Sequence, residues 1–358
     1  MGLLRDSGTA TEIRAVRRPC GNRTRISVAV PESAALLLAM LCCTGASAIE
    51  TDQFYAWGRT IEDSTEVLNA RVNLGIEEAL ASANAEPARE RLSCEDVVRR
   101  VVSRFRYVIF WEPELWAMNS GLVARVPATR EENALYARTY LYANTSFADN
   151  VRRMPPSPTV EAAGVRFGTD KLTHFFSEGH MQHRWRLEYL REGHAPEEAE
   201  RRAIRRGIFV ERTLLGMTSS GVFSPADLEA NDAGMRFYDS LCDASSPRLL
   251  ETDAGWRLDR PFDLRDHVTP RWDESWQPNA FSERRWRKVL PSLRAYCPLL
   301  EDEGVRARRA AYLVRDRETP TERVVRDLVR RGKLPDPSAF SIDAVCRSQV
   351  SVSDLNRR

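Results

Sequence analysis

The sequence predicts a mostly α fold: a soluble helical bundle with a central three-helix block and an irregular, tryptophan-rich segment behind it. Three observations predict this. Apolar residues recur at i, i+3, i+4 over most of the chain. Serine, proline and acidic residues fall where helices would start. Strand-like alternation is weak and shows only around residues 250–282.

The one strongly apolar run, Ser33 to Cys43 (SAALLLAMLCC), is far shorter than the ~20 residues of a membrane-spanning helix. Arg18, Arg23 and Arg25 precede it, and Ala46-Ser47-Ala48 follows it with small residues suited to a signal peptidase. Residues 1–48 are therefore expected to be a signal peptide and the rest an exported, periplasmic chain. A buried N-terminal helix would show polar residues at helical period, and this run has none. Neither Cys42 nor Cys43 sits in a good lipid-attachment box. The remaining residues, 49–358, can bury one large core or two modest ones. They divide into an N-terminal helical region (49–164), a central helical block (165–245) and the tryptophan-rich segment with C-terminal helices (246–358).

Residues 1–48 carry six arginines and three acids, which leaves 47 basic against 48 acidic residues in the remainder. That balance argues against a nucleic-acid partner, which would need a basic excess on one face, and leaves no polybasic membrane patch. A cell-envelope component is the partner class that remains. Four cysteines lie beyond the leader: Cys94, Cys242, Cys297 and Cys346. In an oxidising compartment they predict two disulfides, with three connectivities open. No Cys-x-x-Cys spacing suggests a thiolate zinc site.

Helical periodicity spans about 59–84, 88–109 and 130–142, and a proline-rich loop (MPPSPTVEAAG) runs to Gly164. In the central block one helix starts at Thr169 or Asp170 and runs to about Arg191. A second opens on Pro196 with Glu197 and Glu198 at the positive end of its dipole and runs to about Met217. The third opens on Ser224-Pro225-Ala226-Asp227, with an N-cap serine, proline at N1 and an acid at N3. Past Cys242 an irregular stretch carries Trp256, Trp272 and Trp276 and a short hairpin. Helices resume over about 283–296, 302–315 and 321–331.

Chemistry concentrates between Gly168 and Phe237. Asp170 and His174 lie four apart on one helix face, with Ser177 and Met181 continuing the stripe. Gly207, Glu211 and Leu214 share a face of the second helix, and Asp227, Asn231 and Gly234 share one of the third. Short links allow these faces to meet, and a buried group of this kind must satisfy itself or hold a ligand. Each member also has a plainer reading. Asp227 can serve as half of a capping box, Glu211 can pair with Arg206 or Arg212, and His174 can be a hydrogen-bonded core histidine. A divalent metal held by Asp170, His174, Glu211 and Asp227 is chemically reasonable. His180 and His183 lie off the face of His174 and cannot join it.

The pattern Asp170-Lys171-x-x-His174, Glu211, then Ser224-x-x-Asp227-x-x-x-Asn231-x-x-Gly234 resembles the signature shared by VanZ-like proteins and the YfiM-type predicted periplasmic lipoproteins. The resemblance covers about 70 residues. It implies a helical fold and association with the cell envelope, and it implies no reaction. VanZ-like proteins carry the signature among membrane-spanning helices, whereas the second helix here is too charged to enter lipid. Three functions stay open: a non-catalytic envelope protein whose cluster (Asp170, Lys171, His174, Glu211, Ser224, Asp227, Asn231, Gly234) is a structural or ligand-binding centre; a metal-dependent hydrolase of envelope material; and a carbohydrate- or lipid-binding module using the tryptophans, including Trp286. Asn144-Thr145-Ser146 fits a glycosylation acceptor by accident.

Overall fold

The computed structural model describes residues 50–86, 92–107, 110–143, 156–218 and 220–347. The expected leader, with Cys20, Cys42 and Cys43, and the Asn144-Thr145-Ser146 site lie outside them.

Mostly helical structure follows the periodicity, with ends set by local chemistry. Helix α1 (Thr65–Asn84) begins at Thr65 rather than residue 59. Asp63 is drawn into a bridge with Glu161, the Ser64 N–H donates to the Glu161 carbonyl at 2.8 Å, and Asp63 Oδ1 accepts from Thr65 N–H at 2.8 Å. These contacts hold the chain extended until the helix can start. Helix α2 (Cys94–Phe105) opens on a full capping box between Ser93 and Asp96. It stops at Phe105, short of the expected residue 109, because Arg106–Tyr107 (β1) pairs antiparallel with Phe110–Trp111 (β2). Helices α3 (Glu112–Asn119) and α4 (Arg130–Thr139) follow, the latter capped by Thr129.

The expected loop up to Gly164 is in part a sheet. β3 (Arg125–Val126), β4 (Thr159–Ala162) and β5 (Val165–Gly168) form three antiparallel strands, with Val160 opposite Phe167. β4 and β5 are buried on both sides, so they lack the two-residue alternation that marks a half-exposed strand. Ala163 and Gly164, both at positive φ, make their turn.

The central block is as expected in number and order. Helix α5 runs Asp170–Thr173, passes through a π-helical turn over His174–Glu178, and continues Gly179–Arg191. Helix α6 runs Pro196–Val210 into a second π-helical turn, Glu211–Leu215. Helix α7 spans Pro225–Leu241, with Ser224 Oγ accepting from Asp227 N–H at 3.2 Å. Just before it, β6 (Val222–Phe223) pairs with the later β9 (Ala280–Phe281), and beyond it β7 (Leu249–Thr252) and β8 (Gly255–Leu258) form the short hairpin. Helices α8 (Glu283–Arg294), α9 (Glu303–Arg315) and α10 (Pro320–Arg330) follow, and a 3-10 turn over Pro337–Phe340 comes after them. No helix among the described residues is long and apolar enough to cross a membrane.

The main core joins α1, α2, the β4–β5 hairpin, α5 and α7 around Phe105, Phe167, Phe175, Phe176, Phe237 and the fully buried Trp272. Core packing, rather than a sugar-stacking surface, accounts for Trp272. The four cysteines among the described residues are all paired, as Cys94–Cys242 and Cys297–Cys346. The first ties the start of α2 to the end of α7. Such bonds persist in an oxidising compartment.

α5 and α7 cross at two glycines. A Cβ on Gly234 would lie 1.9 Å from the Phe175 carbonyl oxygen and 3.0 Å from Gly179 Cα, and one on Gly179 would lie 2.6 Å from Gly234 Cα. Backbone meets backbone here, so no side chain can move aside. Gly234→Ala is expected to cost about 1–3 kcal/mol by overpacking, read as a lower midpoint in urea. A gain of about 1 kcal/mol, the ordinary effect of removing a helical glycine, would show that the crossing is loose.

Candidate functional site

The three helices bring the signature together at one buried spot. Asp170 opens α5, where its charge suits the N-terminus. Lys171 follows and turns inward, fully buried. Its Nζ lies 2.8 Å from Asp170 Oδ2, 2.6 Å from Asp227 Oδ1 and 2.6 Å from Glu274 Oε1. One ammonium thus hydrogen-bonds to Asp170 and Glu274 and forms a close ion pair with Asp227.

His174 lies one turn on, with Nε2 3.2 Å from Asp227 Oδ2 and Nδ1 3.1 Å from the Asn231 side-chain amide. Burial works against its proton, but Asp227 and Glu178 outweigh that and lift its pKa to about 9. The Asn231 amide nitrogen donates to the carbonyl oxygens of Asp227 and His174, at 3.0 and 3.1 Å.

Asp227 does not complete a capping box. The backbone N–H of Ser224 donates instead to Glu211 Oε1 at 3.3 Å, which frees the Asp227 carboxylate for Lys171 and His174. Those two cations overcome its burial and hold its pKa below the usual range. Glu211 is buried, not paired with Arg206 or Arg212 on a wet face. Burial and the nearby Asp227 push its pKa to about 8, so it is mainly neutral at pH 7. It can turn inward because residue 216 is glycine: a Cβ there would stand 2.1 Å from Glu211 Oε1.

Both π-helical turns begin at signature residues, His174 and Glu211. Each inserts a residue into the helical repeat and shifts the faces beyond it. Ser177 and Met181 are consequently only half-buried, and Glu178 and Gln182 take the inner stripe. Leu214 is 45% exposed instead of sharing the face of Gly207 and Glu211. Gly207 remains on the inner side, against the Gln182 amide. His183 pairs with Asp239 at 2.7 Å, and His180 packs its ring on Tyr238 at 5.2 Å; neither reaches the cluster.

Sequence reasoning missed several members. Glu274 comes from the tryptophan-rich segment, held by donation from Ser224 Oγ at 3.3 Å and Asn279 Nδ2 at 3.0 Å, and by its own N–H to Gln53. Burial raises its pKa to about 7 against the pull of Lys171. Thr51 Oγ1 donates to Asp170 Oδ1 at 2.9 Å. Behind Asp170, Glu114 accepts from Ser157 Oγ at 2.9 Å and from Thr173, and burial and Asp170 raise its pKa. Thr51 and Glu274 reach the cluster from outside the helices and strands, where there is no period to read, and Glu114 on α3 has no spacing that links it to the signature.

Ligand atoms of Asp170, His174 and Asp227 lie within 4.8 Å of one another, close enough for a metal ion; Glu211 is outside that triad. Lys171 Nζ, however, bonds the same Asp170 and Asp227 carboxylates. The donor set fits a metal only if the lysine leaves. A cavity of about 20 Å³ touches Glu274, Asn279, Thr51 and Tyr142, room for about one water and no substrate. No protein-family model, curated protein or solved structure matches this chain.

Proposed function

We propose that this chain is an exported protein of the bacterial cell envelope, of VanZ-like or YfiM-type kinship, and that its signature residues form a non-catalytic structural centre. The observation that carries this reading is Lys171, which is fully buried and bonded to Asp170, Asp227 and Glu274. The site has a cation built into it. Two disulfides suit an oxidising compartment outside the cytoplasm. The residues of the signature are those that fix how α5, α6 and α7 pack, which explains why they would occur together without a reaction.

The Asp170–His174–Asp227 triad favours a second reading, a metal-dependent hydrolase acting on envelope material. The two separate cleanly. Metal analysis of the purified chain lacking residues 1–48 is expected to find far less than one divalent ion per molecule, and chelator is expected to leave the melting temperature unchanged. His174→Ala is expected to destabilise by about 1.5–3 kcal/mol, the worth of hydrogen bonds to charged groups. Stoichiometric metal, with a melting temperature that drops on chelation, would overturn the structural reading in favour of the hydrolase.

A further inference from the structure

Charge is uneven along α6. Its first turn carries Glu197, Glu198 and Glu200, whereas the stretch 201–218 exposes Arg201, Arg202, Arg205, Arg206 and Arg212. The one acid of that stretch, Glu211, is buried. Arg201 and Arg202 share the single acid Glu198, and Arg206 pairs with Glu188 of α5 at 3.4 Å. Arg205 and Arg212 have no acidic partner among the described residues. The contrast is α10, where Arg323 and Arg326 face Glu318 while Arg330 and Arg331 face Asp327. The even charge of the whole chain thus hides a cationic face on α6.

Phe209 stands in the middle of these arginines and is 61% exposed. At ~100° per residue, Arg202, Arg205 and Arg206 fall within about 60° of it around the helix. Leu214, 45% exposed, follows in the π-helical turn. Among the residues whose side chains are described, Phe209 is the only aromatic one that is exposed. The inner side of α6 is filled without it, by Ala203, Ile204 and Ile208 in one core cluster with Val324 and Val325 of α10. A lone exposed apolar residue needs no explanation, but this one has a second beside it and cations around it. Two half-buried rings of α5 border the face: Arg206 lies over Trp185 at 4.6 Å and Arg202 over Tyr189 at 5.8 Å. Trp and Tyr, with an apolar body and a polar tip, settle at the depth of lipid headgroups.

We propose that this face of α6 docks the protein on the surface of an anionic phospholipid bilayer, with Phe209 and Leu214 entering the headgroup boundary and the arginines meeting lipid phosphates. A bilayer presents phosphate and an apolar phase within a few ångströms of depth, which is what charged and apolar side chains on one face require. An acidic protein surface would answer the arginines and leave Phe209 without an apolar layer. The helix lies on the membrane and does not enter it, in keeping with its charge. A few arginines and one ring give reversible binding and not a permanent anchor. The proposal goes beyond the buried centre, and draws on the export reading only for which membrane is met.

The test is co-sedimentation of the chain lacking residues 1–48 with vesicles of phosphatidylglycerol and phosphatidylcholine in equal parts, and with phosphatidylcholine alone. Omitting the leader removes an apolar run that would bind lipid by itself. Saturable binding to the anionic vesicles is expected, at least about tenfold tighter than to the neutral ones and weaker as salt is added. Phe209→Ser is expected to weaken it at least about fivefold. Arg205→Gln combined with Arg212→Gln is expected to weaken it more than about tenfold, at roughly fivefold per charge. Leu313→Ser, the same kind of change at a 68% exposed residue of α9, is expected to bind like the parent. All these positions are exposed, and melting curves confirm that the variants fold. The proposal is overturned if no vesicle binds, if neutral vesicles bind as tightly, or if either α6 variant binds like the parent. It is also overturned if poly-L-glutamate binds in place of the vesicles, which would favour an acidic protein partner. Because these readouts involve neither Lys171 nor metal, their failure would leave the reading of the buried network untouched.

Discussion

Replacing Lys171 with methionine is expected to lower the unfolding free energy by about 3–5 kcal/mol, the cost of stripping one partner from a buried ion network. For a chain of this size that is a fall in melting temperature on the order of 10 °C. Methionine keeps the length and apolar stem of lysine, so packing changes little and the effect reports the charge. What remains is Asp170, Asp227 and Glu274, three carboxylates that met at one ammonium within 2.6–2.8 Å, now facing one another in a dry interior. They must take up protons or repel. Glu274→Gln in the same chain is expected to restore part of the loss, since it removes one of the stranded charges while keeping the bonds to Ser224 and Asn279. A single-variant loss under about 1 kcal/mol would mean that the ammonium is a passenger, and the structural reading of the signature would go with it.

Much of this centre was legible in the sequence, for a physical reason. Asp170, His174, Asp227 and Asn231 sit on helices at three- and four-residue spacings, and such spacings fix a shared face before any tertiary contact is known. Ser224-Pro225 set the start of α7 for equally local reasons. What escaped falls into two kinds. The π-helical turns at His174 and Glu211 break the 3.6-residue repeat at the buried cluster, so Leu214, Ser177 and Met181 do not occupy the faces that their spacing predicts. Thr51, Glu114 and Glu274 arrive through long-range packing of the chain, which leaves no period to detect. The β4–β5 hairpin was hidden by being buried on both sides. The four cysteines announced two disulfides, and only the fold could choose Cys94–Cys242 and Cys297–Cys346 among three pairings.

The number of buried acids held protonated leads to an unusual pH profile. Burial raises the pKa of Glu178 to about 7, of Glu211 to about 8, of Glu229 to about 8 and of Glu274 to about 7, against 4.5 in the unfolded chain. Asp227 and Glu178 lift His174 from 6.5 to about 9 over the opposing effect of burial. Through neutral pH the folded state therefore binds more protons than the unfolded one, and stability must fall as pH rises. Each extra proton contributes about 1.4 kcal/mol per pH unit. His180 and His267, which burial holds neutral with pKa values of about 4, act in the opposite sense, but only between about pH 4 and 6.5. Asp227, with its pKa lowered, loses its contribution only in stronger acid. Above about pH 6.5 nothing in this set opposes the decline. Urea unfolding is expected to show a loss on the order of several kcal/mol between about pH 6.5 and 8.5, where most proteins change little. Glu211→Gln mimics the protonated acid and keeps an acceptor for the Ser224 N–H. It is expected to match the parent near pH 6.5 and exceed it near pH 8.5, so that its profile is flatter. Parallel profiles for the two chains would show that Glu211 is ionised throughout, and the proton count assigned to the buried centre would have to be redrawn.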